Sequence, residues 1–134
     1  SIPVIGNGDI TNAQQASSVL QNTGVDAVML GRAVQGRPWL PADIDRFLTT
    51  GLPPVERSFE TKCRALAQHV RALHLHYGPE QGLRIARKHV GWFLQANTLD
   101  SEPFRQAFNL IQCDVQQLVF LDRLWNLGAV GAAA

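Results

Sequence analysis

Cysteine is scarce in this sequence. Cys63 and Cys113 are the only two; both fall in apolar helical patterns and make no Cys-x-x-Cys pair, which excludes a disulfide-stapled fold and points to a reducing cytosol. An excess of either charge is also lacking. Twelve Lys and Arg stand against 11 Asp and Glu, a net charge of +1, so any nucleic-acid site has to be a local patch. No apolar run reaches membrane-spanning length, and no signal peptide is recognisable. The four histidines, His69, His74, His76 and His89, offer no standard metal-ligand spacing. His74 and His76 at i, i+2 point apart on a helix, so no metal site is expected. No initiator methionine precedes the first strand, and the chain reads as the C-terminal piece of a longer protein. Its last residues, 128–134, carry little information and are expected to fray.

What is present is enough for a real core: 46% of the 134 residues are hydrophobic, as in ordinary globular proteins. The chain falls into two unlike halves. The first alternates strand and helix. Ile2-Pro3-Val4-Ile5 is a wholly apolar run, expected as a parallel strand buried on both faces. Thr11 with Gln14 matches a helix capping box, and Ala13, Ala16, Val19 and Leu20 form one side of a helix that Gly24 caps. A second strand is expected over residues 27–30, and a further helix near residues 42–48, closing at Gly51. This β-α-β-α order is that of an α/β protein with a parallel sheet. Leu52-Pro53-Pro54 marks a boundary, and everything after it reads as helices. Cys63, Leu66, Ala67, Val70, Leu73 and His74 share one helical face, and Tyr77-Gly78-Pro79 ends that helix. Leu83, Ala86, Val90, Phe93 and Leu94 share the face of the next, over residues 80–97. Residues 100–103 break the pattern. Helices near 104–111 and 114–127 complete a small antiparallel bundle.

Two places carry chemistry. Successive parallel strands bring their C-terminal ends to one edge, so the loops 6–9 and 31–33 are expected to be neighbours. Glycines let backbone amides face an oxyanion, the helix start adds a favourable dipole, and Arg32 supplies a fixed charge. In (β/α)8 barrels the loops after the last two strands often make a phosphate site. Each glycine turn alone is explained as a tight connection; the matched pair with Arg32 raises phosphate to an equal reading. Asp9 sits awkwardly beside a phosphate and is expected to take backbone amides or a ribityl-type hydroxyl. In the second place, Arg84, Arg87 and Lys88 stand at i, i+3 and i+4 on one side of a helix, continued by Gly91 and Gln95. Such a stripe suits a phosphate backbone, with an ordinary solvated basic face as the other reading. Gly91 in a helix interior costs about 1 kcal/mol relative to Ala, which points to close approach by something. His89 flanks the stripe. Trp92, Phe93 and Trp125 read as core, His69 and His74 as packed or hydrogen-bonded, and neither cysteine as a nucleophile.

Asn7-Gly8-Asp9-Ile10, then Gly31-Arg32-Ala33-x-x-Gly36-Arg37-Pro38-Trp39, then Arg87-Lys88-His89-x-x-Trp92 occur in this order. With them the chain resembles the tRNA-dihydrouridine synthases, in particular the bacterial B-type, from its start to about Trp125. The resemblance implies that residues 1–51 are the last two β/α units of an FMN-binding TIM (β/α)8 barrel, strands seven and eight, and that residues 52–134 are a helical tRNA-binding domain. It implies a cytoplasmic enzyme with FMN as cofactor and NADPH as reductant, reducing the C5–C6 double bond of a D-loop uridine. Asn7, Gly8 and Asp9 fall in the first FMN-binding segment. Gly31 and Arg32 fall in the second, around the flavin phosphate, and Arg84, Arg87, Lys88 and His89 in the stretch that meets RNA. tRNA is the implied partner, with no membrane and no protein partner. The family's catalytic cysteine, and the lysine and histidine that contact its flavin, lie upstream of the matching segment. Neither Cys63 nor Cys113 takes that cysteine's place, so the chain alone is expected to be inactive. Gly6 stands where the family usually has alanine. The competing reading is a free-standing helical RNA-binding module with a vestigial α/β stub.

Overall fold

A computed structural model describes residues 2–98 and 101–131, with side chains as far as residue 124. The chain divides into two compact units, Ser1–Glu56 and Arg57–Ala134.

In the first unit β1 (Ile5–Asn7) and β2 (Ala27–Met29) pair in parallel, with Ile5 opposite Ala27 and Asn7 opposite Met29. The crossover between them is α1 (Ala13–Thr23), the connection parallel strands require. Asp26 fixes the entry to β1: its carboxylate accepts from the Val4 amide at 2.7 Å, and its own amide donates to the Val4 carbonyl at 2.9 Å. After a 3-10 turn (Arg32–Val34) comes α2 (Leu40–Thr50), with Pro41 in its first turn, where proline is tolerated. Ile10, Ala13, Ala16, Leu40 and Ile44 form the core of this unit. Gly24 and Gly51 cap α1 and α2 in the left-handed conformation, φ 67° and 70°.

Two expectations change here. The cap of α1 is Asn12, one residue later than the Thr11/Gln14 pair. Asn12 Oδ1 accepts from the Gln15 amide at 2.9 Å, and Gln15 Oε1 reaches back to the Thr11 amide at 2.8 Å. The reciprocal logic of the box survives, because asparagine caps at least as well as threonine. The apolar run at residues 2–5 is not buried on both faces. Strand pairing starts only at Ile5, and Ile2 is 88% exposed, with Val4, Ile5 and Met29 exposed too. Burial on both faces needs strands and helices on every side, and this sheet has two strands.

The second unit is helical. Its first element, α3 (Phe59–Asn97), is broken at Gly78, where φ 76° and ψ 172° turn the chain, and Pro79 starts the helix again. Ser58 caps the start by accepting from the Thr61 amide. The two limbs fold back on each other. Phe59 lies against Phe93 with ring centroids 6.3 Å apart, His69 Nε2 and His89 Nδ1 are 3.0 Å apart, and Gly82 sits beside the backbone of His74. Later residues of one limb meet earlier residues of the other, so the pair is an antiparallel hairpin. α4 (Glu102–Leu110) and α5 (Asp114–Gly131) both pack on α3. Pro103, expected as a break, occupies the first turn of α4, and α5 extends through residues 128–131; residues 132–134 of the expected frayed tail lie outside the described residues. The core contains Cys63, Leu66, Val70, Ala86, Val90, Phe93, Leu94, Phe108, Leu121 and Leu124. One polar contact is buried within it: His74 Nε2 meets Gln117 Oε1 at 2.9 Å. Among the described residues no helix is long and apolar enough to cross a membrane.

Candidate functional site

The parallel register puts the ends of β1 and β2 side by side, and the loops after them enclose a cleft of about 710 Å³. Asn7, Gly8, Asp9, Gly31 and Arg32 all line it, with Ile10, Thr11 and Ala33. All five residues expected in this first site are therefore brought together. Gly8 and Gly31 have no non-neighbouring heavy atom within 4 Å of where a Cβ would sit, and neither has a positive φ. Packing does not demand glycine at either position, which leaves room for something outside the chain to reach the backbone. Asp9 differs from the expectation. Its Oδ1 accepts from Arg32 Nη2 at 2.8 Å, with both side chains more than 80% exposed. It is also the one non-glycine residue with positive φ, 42°, among the described residues, a conformation Asp and Asn tolerate better than most. The pair is weak because water competes for both charges, so Arg32 is held in place at little cost to release.

The second site lies on the second limb of α3. Arg84, Arg87, Lys88, Gly91 and Gln95 line one open cleft of about 600 Å³, as their spacing requires. Trp92, Arg105 and Asn109 complete it. Trp92 is half-buried at this surface, not in the core; Lys88 Nζ lies 4.9 Å from its ring centroid and the His89 ring meets it edge-on at 5.1 Å. Trp125 lies outside the described side chains. Arg87 points inward: Nη2 donates to the Ile111 carbonyl at 3.0 Å and to Gln112 Oε1 at 3.2 Å, tying the α4–α5 connection to α3. Its Nε and the Asn109 Oδ1 are buried and meet no partner among the described residues. His89 does not line the cleft. It is half-buried against His69, and burial, then His69, then Lys88 hold its pKa below the usual histidine value. Arg105 belongs to α4 and grips Glu102 through Nε and Nη2, both at 3.0 Å. That contact raises the Arg105 pKa and, with Gln106, lowers that of Glu102. Sequence reading missed Arg105 and Asn109. Their i, i+4 spacing puts them on one face of α4, a signal two residues long.

The two cysteines lie outside both clefts. Cys63 is buried, and burial pushes its thiol up to about 12 despite Lys62, the reverse of an activated nucleophile. Cys113 is half-buried, its Sγ 3.7 Å from Asp114 Oδ1. Among the described residues no three His, Cys, Asp or Glu are grouped to hold a metal.

Residues 1–127 match the family described as Dihydrouridine synthase (Dus). The chain belongs to the dihydrouridine synthase family. It is 52% identical over 124 residues to the tRNA-dihydrouridine synthase B of Salmonella typhimurium and equally to that of Escherichia coli K12, covering 91% of this chain and 38% of theirs. To the Yersinia pestis protein of the same name the identity is 50%. The chain thus spans about two fifths of the length of these curated relatives. Both clefts fall inside the part of the chain that matches the dihydrouridine synthase family.

Proposed function

We propose that this chain is the part of an FMN-dependent tRNA-dihydrouridine synthase that holds the flavin phosphate and grips tRNA. The single observation that carries this reading is the pairing of two separate anion-suited clefts in a chain 52% identical to tRNA-dihydrouridine synthase B. The first unit would be the last two β/α units of a TIM barrel. The exposed apolar sides of Ile2, Val4, Ile5 and Met29 suit a sheet that continues beyond two strands. The second unit would be the tRNA-binding domain.

The residues at the first cleft fit a phosphate monoester such as that of FMN. Gly8 and Gly31 leave open the space a Cβ would fill, so oxygens can meet backbone amides. Arg32 would leave its exposed contact with Asp9 and take the phosphate with two donors. Asp9 is then free for a ribityl hydroxyl, and Asn7 lines the same wall. Bound flavin, reduced by NADPH, would supply the hydride for the C5–C6 bond of a D-loop uridine. Cys63 is buried and neither it nor Cys113 lines the first cleft, so neither is placed to protonate a uridine there, and this segment alone is not expected to turn over. In the second unit Arg84 and Lys88 would meet RNA phosphates directly, while Arg87 supports the surface from beneath.

The division of labour is testable. Arg32→Ala should lose FMN on gel filtration, read from the flavin absorbance retained, with tRNA affinity kept within about twofold. Arg84→Ala/Lys88→Ala should keep the flavin and lose at least about tenfold in tRNA affinity, with a shallower salt dependence. Equal loss of FMN in both variants would falsify the two-site division.

A further inference from the structure

We propose that Gly91 is the floor of a channel for the RNA ribose-phosphate backbone, and that Arg105 on α4 is its second wall. This rests on the RNA-binding reading of the second unit and says how that unit holds its ligand. Gly91 sits in the interior of α3, where glycine is a poor helix former. A fold tolerates such a residue for a positive φ or for close packing. Neither applies: its φ is not positive, and the nearest atom to a Cβ placed there is Arg105 Cδ at 3.7 Å, an ordinary contact with a flexible side chain. Gly82, on the same limb, shows what a packing requirement looks like, with a Cβ 2.9 Å from His74 Cα. The missing side chain at Gly91 is therefore unexplained by any described residue of the unit.

Its surroundings supply the reason. Arg84 and Lys88 lie on the turns before it and Gln95 on the turn after, so they line the cleft in a row. Arg105 faces them from α4, its stem beside Gly91. Glu102 engages Nε and Nη2 of Arg105 and leaves Nη1 out of both bonds, which orients the guanidinium without using all its donors. Among the described residues no carboxylate lines the cleft. A row of cations on one wall, a cation on the other and a bare helix backbone between them suit a chain of regularly spaced phosphates. A methyl on the floor would lift that chain away from both walls.

The test uses the full chain and an unmodified tRNA transcript, with affinity measured over a salt series and thermal melting recorded in parallel. Arg84→Ala/Lys88→Ala is the reference. Gly91→Ala should melt at or above wild type yet bind about tenfold more weakly at every salt concentration, with the slope unchanged because no charge is lost. Arg105→Gln should bind more weakly with the slope reduced by about 0.7–0.9, one phosphate contact. Wild-type binding by Gly91→Ala overturns the channel whatever Arg105→Gln does, and so does melting below wild type, which would mean that the fold needs this glycine. Wild-type binding by Arg105→Gln removes the second wall and overturns the channel as drawn. If the reference variant itself binds as wild type, the RNA-binding reading of the second unit fails, and the channel with it.

Discussion

His89 shows how a residue's neighbours decide its role. On a helical wheel it flanks the basic stripe; in the fold its Nδ1 is 3.0 Å from His69 Nε2 and its ring lies edge-on to Trp92. One of the two facing nitrogens must be bare for that bond to exist. Burial, His69 and Lys88 each disfavour the cation, so the folded protein binds this proton less readily than the unfolded chain. Where the unfolded state holds more protons, stability rises with pH. The contact is fully present at neutral pH. Stability should fall as pH drops below about 6.5, the ordinary histidine value, and level off below the lowered folded value. Urea midpoints measured from pH 7.5 to 4.5 should show this acid limb in wild type and a shallower one in His89→Gln. Parallel curves would remove His89 as its source. The Asp9–Arg32 pair is the opposite case, fully hydrated and replaceable.

Among the elements, α3 carries its break where the sequence places it, at Gly78. Tyr77-Gly78-Pro79 reads as a stop between two helices, and the second limb packs back on the first. The close approach this needs falls on Gly82, which lies within the apolar face as a residue without a signal of its own. A Cβ there would stand 2.9 Å from His74 Cα and 3.2 Å from the Leu73 carbonyl oxygen, both backbone atoms that cannot rotate away. Gly82→Ala should therefore destabilise by about 1–3 kcal/mol, as overpacking does, although alanine is the better helix former. Gly91→Ala, nine positions on, should gain up to about 1 kcal/mol. Denaturant unfolding of the two variants separates them by sign. If both are stabilised, the hairpin is not packed as tightly as drawn.

At the scale of the whole molecule, stability rests on two separate apolar clusters. In the second unit Phe108 is fully buried, with its ring centroid 5.6 Å from that of Phe120. Phe108→Ala should cost about 3–5 kcal/mol, read as a lower midpoint in guanidinium followed by circular dichroism; a loss under 1 kcal/mol would mean that α4 contributes little to this core. The order of strands and helices, the Gly24 and Gly51 caps and the apolar faces of α3 are legible in the chain because each depends on local spacing: a 3.6-residue period, a glycine one step past a helix end. The meeting of Gly6–Asp9 with Gly31–Ala33 is legible for a related reason, since two parallel strands joined by one helix must end at the same edge. The sequence by itself therefore determined which residues form helices, which loops share an edge and which helix carries the basic row. Only the tertiary structure decided that Arg87 turns inward to the Ile111 carbonyl, that His89 pairs with His69, that Trp92 lies at a surface and that Arg105 and Asn109 join the cleft. Each of these depends on contacts such as Gly91–Arg105, His69–His89 and Arg87–Ile111, 14 to 24 positions apart in the chain, or on the burial those contacts create, and no local period encodes which side chain meets which across a packed interface.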